Sequence, residues 1–205
     1  RLIDEQGKLD AELQKKIEAA LKLQEVEDLY RPYKQKRRTR ASIGKEKGLE
    51  PLAKWILSQP QKGNPEEEAL QYLNPDLGVN GIEEAISGAL DIIAEEVSDN
   101  AEVRKVVRSK TYELADISAK AKKKERSPYE MYYDYREPVR RIPPHRILAL
   151  NRGEKEEYLA VNIEIDSEKI LPLIENRYLQ EGPCRELTRN AVQDAYKRLI
   201  APSIQ

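Results

Sequence analysis

The chain has 205 residues, and its 36 lysine and arginine residues almost cancel its 37 aspartate and glutamate residues, which gives a formal net charge of −1. This balance excludes a uniformly basic nucleic-acid-binding body, so any such contact must come from a local patch. With one cysteine (Cys184) and one histidine (His145), the chain has no disulfide framework, and we expect no metal or cofactor. The cysteine usage suits a reducing cytoplasm. No apolar run approaches the ~20 residues of a membrane helix, so no membrane partner is expected.

The first predicted elements form a helical hairpin that ends near Pro32. Asp10 is suited to cap a helix with Leu13 and Ile17 on its apolar face, and a second short helix follows. We call residues 31–47, RPYKQKRRTRASIGKEK, the basic segment. It is dense in positive charge and lacks a sustained apolar stripe, which predicts an exposed basic loop with one short helix after Thr39.

Further helices are predicted between Pro51 and residue 118. Proline at a first-turn position indicates helix starts at Pro51 and at Pro65, where Asn64 is the expected cap. The clearest helical stripe runs from Ile82 to Val97 and predicts a central buried helix. Gly88 inside it costs ~1 kcal/mol relative to alanine, which indicates close approach of a neighbouring helix.

The pattern changes near Ala119. Residues 119–146 are first basic, then rich in tyrosine, then broken by prolines, and this pattern predicts a connector. Alternating apolar residues then predict a β-hairpin over roughly 146–165, followed by two helices. The predicted fold is mainly α, a multi-helix scaffold with one small β-hairpin, divided into a helical lobe at 1–140 and a second part at 141–205.

The basic segment holds the first candidate binding site. Close cations in a solvated loop attract phosphates, and a tyrosine among them can stack on a base. The alternative is a solvated charge run whose arginines pair with acids of neighbouring helices. The candidate residues are Arg31, Tyr33, Lys34, Lys36, Arg37, Arg38 and Arg40.

A second candidate group lies in the proline-rich connector beside three tyrosines. Arginine interleaved with aromatic residues can hold single-stranded nucleic acid, but the same residues also build packed joints between domains, and the prolines favour the structural alternative. The candidate residues in this group are Arg140, Arg141 and Arg146. His145 has no second histidine or cysteine that would complete a metal site, so a hydrogen-bonded structural role is expected.

No catalytic motif supports an enzyme. The sequence contains no phosphate-binding glycine loop, no HExxH and no GxSxG, and the carboxylate clusters fall at a helix start and in a predicted turn. We therefore predict a protein without catalytic activity and without a small-molecule substrate.

Two long stretches resemble the Tex family of bacterial transcription accessory proteins. They are LQEVEDLYRPYKQKRRTRASIGKEKGLEPLA (Leu23–Ala53) and YYDYREPVRRIPPHRILALNRGEKE (Tyr132–Glu156). The resemblance extends over essentially the whole chain and implies one section of a larger protein, the helical region that precedes an RNase H-like domain. It further implies helix-hairpin-helix elements and an RNA-binding OB-fold elsewhere in that protein. It transfers the helical scaffold and no catalytic residue.

These observations leave three hypotheses open. The first is a helical scaffold of a nucleic-acid-binding transcription accessory protein, which contributes phosphate contacts to DNA or RNA without reading bases. The second is a docking module for proteins or other domains, such as the transcription machinery, with no nucleic-acid affinity of its own. The third and least favoured is an enzyme.

Overall fold

The computed structural model describes residues 2–34, 37–123 and 125–204, and these form two compact units. The first unit contains the residues up to Lys105 together with Leu171–Ser203, and the second contains Val106–Ile170 and the end of the chain. This division differs from the predicted boundary between residues 140 and 141. The last helices return to the first unit, and the segment from Val106 onward belongs to the second.

The described residues form twelve α-helices and three β-strands. The helices are α1 (Leu2–Glu5), α2 (Ala11–Ala19), α3 (Leu23–Tyr30), α4 (Arg40–Glu46), α5 (Glu50–Ser58), α6 (Pro65–Ala69), α7 (Ile82–Asp99), α8 (Ala101–Leu114), α9 (Pro144–Lys155), α10 (Leu171–Tyr178), α11 (Arg185–Asp194) and α12 (Ala201–Ile204). The strands are β1 (Asp116–Ala121), β2 (Asp134–Pro138) and β3 (Leu159–Glu164). The mainly α fold is therefore confirmed. No helix of the described part is long and apolar enough to cross a bilayer.

Helix α7 is the centre of the first unit, as its apolar stripe predicts. It packs against α4, α5 and α11. Ala85, Ala89, Ile93 and Val97 are fully buried, which removes one whole face of the helix from water. The predicted start of α6 is also confirmed, because the Asn64 side chain accepts a hydrogen bond from the Glu66 backbone N–H at 3.0 Å.

Two glycines allow α4 and α7 to approach closely. A Cβ atom added at Gly44 would lie 2.7 Å from the Gly88 carbonyl oxygen, and one added at Gly88 would lie 2.4 Å from Leu49 Cδ1. The contact at Gly44 is with a backbone atom that cannot move aside, whereas the contact at Gly88 is with the end of a side chain. The close helix approach predicted at Gly88 is confirmed, and its partner is the helix that follows the basic loop.

The second unit is built on a three-stranded antiparallel sheet in the order β2-β1-β3. Its core contains Ile117, Tyr129, Tyr132, Leu150 and Leu159. The central strand β1 pairs with β2 from Asp116↔Pro138 to Lys120↔Asp134, and with β3 from Asp116↔Glu164 to Ala121↔Leu159. All three strands thus come from different parts of the unit's sequence.

The predicted β-hairpin at about 146–165 is wrong in its first half. Residues Ile147 to Leu150 lie in helix α9, which begins at Pro144, and only Leu159–Glu164 is a strand. Proline fits the first turn of a helix because its missing N–H would be unpaired there anyway. The strand therefore pairs with β1 rather than with its own sequence neighbour.

The predicted connector at 119–146 is wrong in part as well. Its first residues form the end of β1, its middle contains the whole of β2, and its last residues begin α9. Pro138 is the last residue of the edge strand β2, and Pro143 and Pro144 lie at the start of α9, so none of these three interrupts the middle of a strand.

Candidate nucleic-acid interface

The basic segment has a defined local structure. One turn of 3-10 helix spans Arg31–Tyr33, and Thr39 caps α4 by accepting a hydrogen bond from the Ser42 backbone N–H at 3.0 Å. In return, the Thr39 N–H donates to Ser42 Oγ at 2.8 Å, which completes a capping box. The short helix predicted after Thr39 is confirmed.

Both ends of the loop are attached to acids of α7. Arg31 Nε lies 3.3 Å from Asp99 Oδ1, and the Thr39 hydroxyl donates to Glu95 Oε2 at 3.0 Å. The Arg31 side chain is about one-third exposed and the Asp99 side chain is mostly buried. Arg31 thus fixes the loop to the scaffold, which is the alternative role considered for the arginines of this segment.

The remaining described cations of the candidate site face solvent. Lys34, Arg37, Arg38 and Arg40 are exposed. Arg38 Nη2 lies 3.1 Å from Glu46 Oε2, and both side chains are more than half exposed, so this pair contributes little to stability. Lys34 and Arg37 form no ion pair within the described part of the chain. Lys36 lies outside the described residues.

Lys34, Arg37 and Arg38 come together along one groove of about 780 Å³. The described charged residues around this groove are five cations and five carboxylates: Lys34, Arg37, Arg38, Lys45 and Lys54, with Glu46, Glu50, Glu95, Glu96 and Asp99. The positive charge of the loop is therefore opposed by the acids of α4, α5 and α7. The field over the groove as a whole is close to neutral, and attraction for phosphate is restricted to the loop side.

Arg40 and Tyr33 are not part of this groove. Arg40 lines a separate hollow with Glu83, Glu84 and Asp91. Burial raises the pKa of Asp91, while the positive charges of Arg198 and then Arg40 oppose that rise. Tyr33 is half-buried, and its carbonyl accepts a hydrogen bond from Gln6 Nε2 at 3.0 Å.

Helix α7 supplies groove residues that the sequence interpretation missed. The sequence analysis did not name Glu95, Glu96 or Asp99 as part of the candidate site, although all three line the groove. Their signal in the sequence is the helical spacing from 95 to 99, which places Glu95 and Asp99 on one face. That spacing does not say which segment the face meets.

The second candidate group lies in the other compact unit. Arg140 and Arg141 are exposed in a 3-10 turn (Val139–Arg141). Arg146 differs from them, since its Nη1 donates to Glu137 Oε2 at 2.9 Å. The Tyr135 hydroxyl donates to the same carboxylate oxygen. The contacts of Arg146 thus fit a packing role, which is the structural alternative considered for this group. Arg140 and Arg141 are exposed, so their charge is available to a ligand.

This contact gives a pH-dependent contribution to stability. The hydrogen bond from Tyr135 and then Arg146 lower the pKa of Glu137 below 4.5, against an opposing effect of burial. A lowered folded pKa stabilises the fold above the unfolded pKa, and this stabilisation is lost as the pH falls through the folded pKa. We therefore expect the difference in unfolding free energy between the wild type and Glu137→Gln to shrink as the pH falls from neutral to below 4.5.

Urea unfolding of both proteins across that pH range measures the difference. A difference that stays constant with pH would contradict the assigned contact. Glu130→Gln is the matched control, because Glu130 is an exposed glutamate of the same unit with no hydrogen bond from a tyrosine or arginine of the described part.

Within the described residues, no group of three or more histidine, cysteine, aspartate or glutamate side chains is arranged to hold a metal ion.

The family model described as Tex central region-like matches residues 60–199, which is more than half of the chain. The chain belongs to the Tex family.

Relatives of this Tex-family chain occur in bacteria and in humans. It is 47% identical over 211 residues to the protein named YdcI of Bacillus subtilis, covering 100% of this chain and 29% of that protein. It is 41% identical over 166 residues to the transcriptional accessory protein Tex of Neisseria gonorrhoeae, covering 79% of this chain and 21% of that protein. It is 27% identical over 219 residues to the human S1 RNA-binding domain-containing protein 1, covering 98% of this chain and 22% of that protein.

The Tex-family chain therefore spans between about a fifth and three-tenths of the length of these relatives. The family model and these relatives confirm the predicted Tex family. The match runs through both compact units, since residues 60–199 include the central helix α7, the sheet and the last helices.

Proposed function

We propose that this chain is a non-catalytic helical scaffold that contributes cationic side chains to DNA or RNA binding as part of a Tex-family protein. The observation that carries the proposal is the exposure of Lys34 and Arg37, which have no ion pair among the described residues, on a loop attached at both ends to α7. The printed names of the relatives support it, because one is a transcriptional accessory protein and another an S1 RNA-binding domain protein. A cytoplasmic location and contact with the transcription machinery belong to the same proposal.

The physical basis is phosphate contact without base readout. An exposed ammonium or guanidinium group loses little hydration when it meets a phosphate, and it releases condensed counterions from the nucleic acid. The contacts of Arg31 and Thr39 with α7 fix the two ends of the loop before binding, so less conformational entropy is lost on association. The carboxylates across the groove keep the affinity of this surface low and make it an auxiliary contact.

Salt dependence tests the proposal directly. We expect the triple variant Lys34→Ala, Arg37→Ala, Arg38→Ala to flatten the plot of log affinity against log salt by about 0.9 for each duplex phosphate that the variant no longer neutralises. The triple variant Lys8→Ala, Lys15→Ala, Lys62→Ala is the matched control, because it removes the same charge from exposed positions outside the groove. An unchanged slope in the triple variant would remove the nucleic-acid role of this groove.

The balanced charge of the groove favours a second candidate function. The five described cations opposite five described carboxylates are suited to a protein surface of alternating charge, which would dock another domain or a partner protein. In that case the triple variant keeps the wild-type affinity for nucleic acid and loses affinity for the protein partner.

Turnover of nucleic acid by the purified chain with magnesium would contradict the non-catalytic part of the proposal.

A further inference from the structure

A second cationic surface lies in the other compact unit, at the turn that follows β1. We call Lys120, Lys122, Lys123 and Arg126 the turn cluster. All four side chains are exposed, and none of them forms an ion pair within the part of the chain that the structure describes. The stretch KAKKKER at 120–126 holds five cations and one acid. This local excess of positive charge contrasts with the balanced groove beside the basic segment.

The backbone of this turn is held by hydrogen bonds. The Lys122 N–H donates to the Tyr158 carbonyl at 2.8 Å and so continues the ladder between β1 and β3. The Tyr133 hydroxyl donates to the Glu125 carbonyl and to Ser127 Oγ, the latter at 2.9 Å. The backbone is therefore held at Lys122 and at Glu125, which lowers the entropy that these described positions lose when a ligand binds.

On the sheet face next to the turn, acids offset the cations. Arg136 Nε lies 2.8 Å from Asp116 Oδ2 and its Nη1 lies 3.1 Å from Glu164 Oε2, so the charge of this arginine is neutralised. Lys120 is on the same face, two pairs further along, because side chains alternate along a strand. Asp134 is the residue directly opposite Lys120 on β2. Asp134 thus offsets the charge of Lys120, and the excess positive charge lies beyond the sheet face, in the turn residues Lys122, Lys123 and Arg126.

An aromatic ring lies among these cations. Lys123 Nζ lies over the half-buried Tyr158 ring, 5.2 Å from its centroid, so a base that stacks on this face takes the place of the ammonium group. Tyr158 in turn packs on the buried ring of Tyr129, with centroids 5.9 Å apart and planes at 38°. Tyr129 fixes the ring from the core side. A fixed, partly exposed ring beside several exposed cations is the combination by which single-stranded nucleic acid is held through stacking and charge.

We propose that the turn cluster binds the backbone of single-stranded nucleic acid, with Tyr158 offering its ring to a base. An acidic peptide would match the four cations but would leave the ring unused, so nucleic acid fits the site more completely. This site shares its ligand class with the proposed function but none of its residues. RNA and DNA share the backbone chemistry and are separate arms of the test.

The experiment uses the full chain with labelled oligouridylate, oligothymidylate and a DNA duplex, with binding followed by fluorescence anisotropy. We expect the variant Lys122→Gln, Lys123→Gln, Arg126→Gln to flatten the log–log salt slope for the single strands by about 2, at roughly 0.7 per contact. The matched control Lys8→Gln, Lys15→Gln, Lys62→Gln removes the same charge from exposed positions elsewhere and should keep the wild-type slope. Tyr158→Leu retains an apolar group against Tyr129 and should weaken oligonucleotide binding severalfold.

The outcomes separate this site from the groove. A wild-type slope in the turn variant, together with a flattened slope in the Lys34, Arg37, Arg38 variant, would overturn the turn site and leave the proposed function standing. The reverse result would support the turn site and remove the groove. Equal competition by poly-glutamate, with no effect of Tyr158→Leu, would assign the surface to an acidic peptide and overturn the inference. Absence of any oligonucleotide binding by the wild-type chain would also overturn it.

Discussion

Arg104→Met is expected to lower the free energy of unfolding by about 3–5 kcal/mol, because it leaves the buried Asp28 carboxylate without its cationic partner. Arg104 Nε lies 3.0 Å from Asp28 Oδ1, and the two side chains are only 4% and 8% exposed. A charge in such a buried site is strongly destabilised when its ion-pair partner is removed.

The guanidinium group also joins distant parts of the first unit. Its Nη1 donates to the Ser98 carbonyl at 3.4 Å and its Nη2 to Ser203 Oγ at 3.0 Å. Ser203 Oγ in turn donates to the Ile200 carbonyl at 2.8 Å. One side chain thereby connects α3, the end of α7 and α12. Loss of these hydrogen bonds adds to the cost of the unpaired carboxylate.

Urea unfolding of the single and double variants provides the measurement and its control. Arg104→Met combined with Asp28→Leu removes both charges, and we expect it to recover most of the lost stability, because a well-packed apolar pair often equals a buried ion pair. A cost below about 1 kcal/mol for Arg104→Met alone would contradict the buried pairing, since that value is typical of an exposed pair.

Local pattern was sufficient to predict the helical part of this fold. The apolar stripe of α7 and the cap at Asn64 depend on residues within a few positions of one another, and both are confirmed. The buried Arg104 was not predicted, although it follows the buried Val103 and shares the helix face of Val107. A charged residue on an apolar stripe suggests a buried pair, but Asp28 lies 76 residues away in the sequence.

The sheet was missed because its pairing is not local. β1 pairs with β3 across more than thirty residues of intervening sequence, and the alternating pattern of β3 does not name its partner. The segment before β3 was assigned to a strand because the apolar run at Ile147 to Leu150 is short and fits either state. Helix α9 forms there since Leu150 then packs in the core, and Gly153 leaves room for the Leu159 side chain.

The candidate site shows the same division between local and distant information. The density of cations from Lys34 to Arg40 is visible in the sequence, and the structure places the described cations Lys34, Arg37, Arg38 and Arg40 in solvent. Three of the five carboxylates that line the groove come from a helix more than fifty residues later, as the Thr39–Glu95 hydrogen bond shows. The balance of charge along the groove is a tertiary property, and no count of local charges predicts it.

Gly44→Ala is expected to destabilise the chain by about 1–3 kcal/mol, because an added methyl group in a close-packed helix contact forces the helices apart. The new Cβ would lie 2.7 Å from the Gly88 carbonyl oxygen and 3.2 Å from Ile92 Cδ1. A backbone carbonyl inside α7 cannot rotate away without loss of its own helix hydrogen bond. Helix propensity acts in the opposite direction, by about 1 kcal/mol in favour of alanine.

The sign of the change in unfolding free energy for Gly44→Ala decides between the steric cost of the added methyl group and the gain in helix propensity. We expect Gly88→Ala to cost less than Gly44→Ala, because its Cβ would meet Leu49 Cδ1, the end of a side chain that can change rotamer. Urea unfolding of both variants gives the comparison. A Gly44→Ala chain about 1 kcal/mol more stable than the wild type would show that propensity prevails, and that α4 and α7 are not held at the spacing which two facing glycines allow.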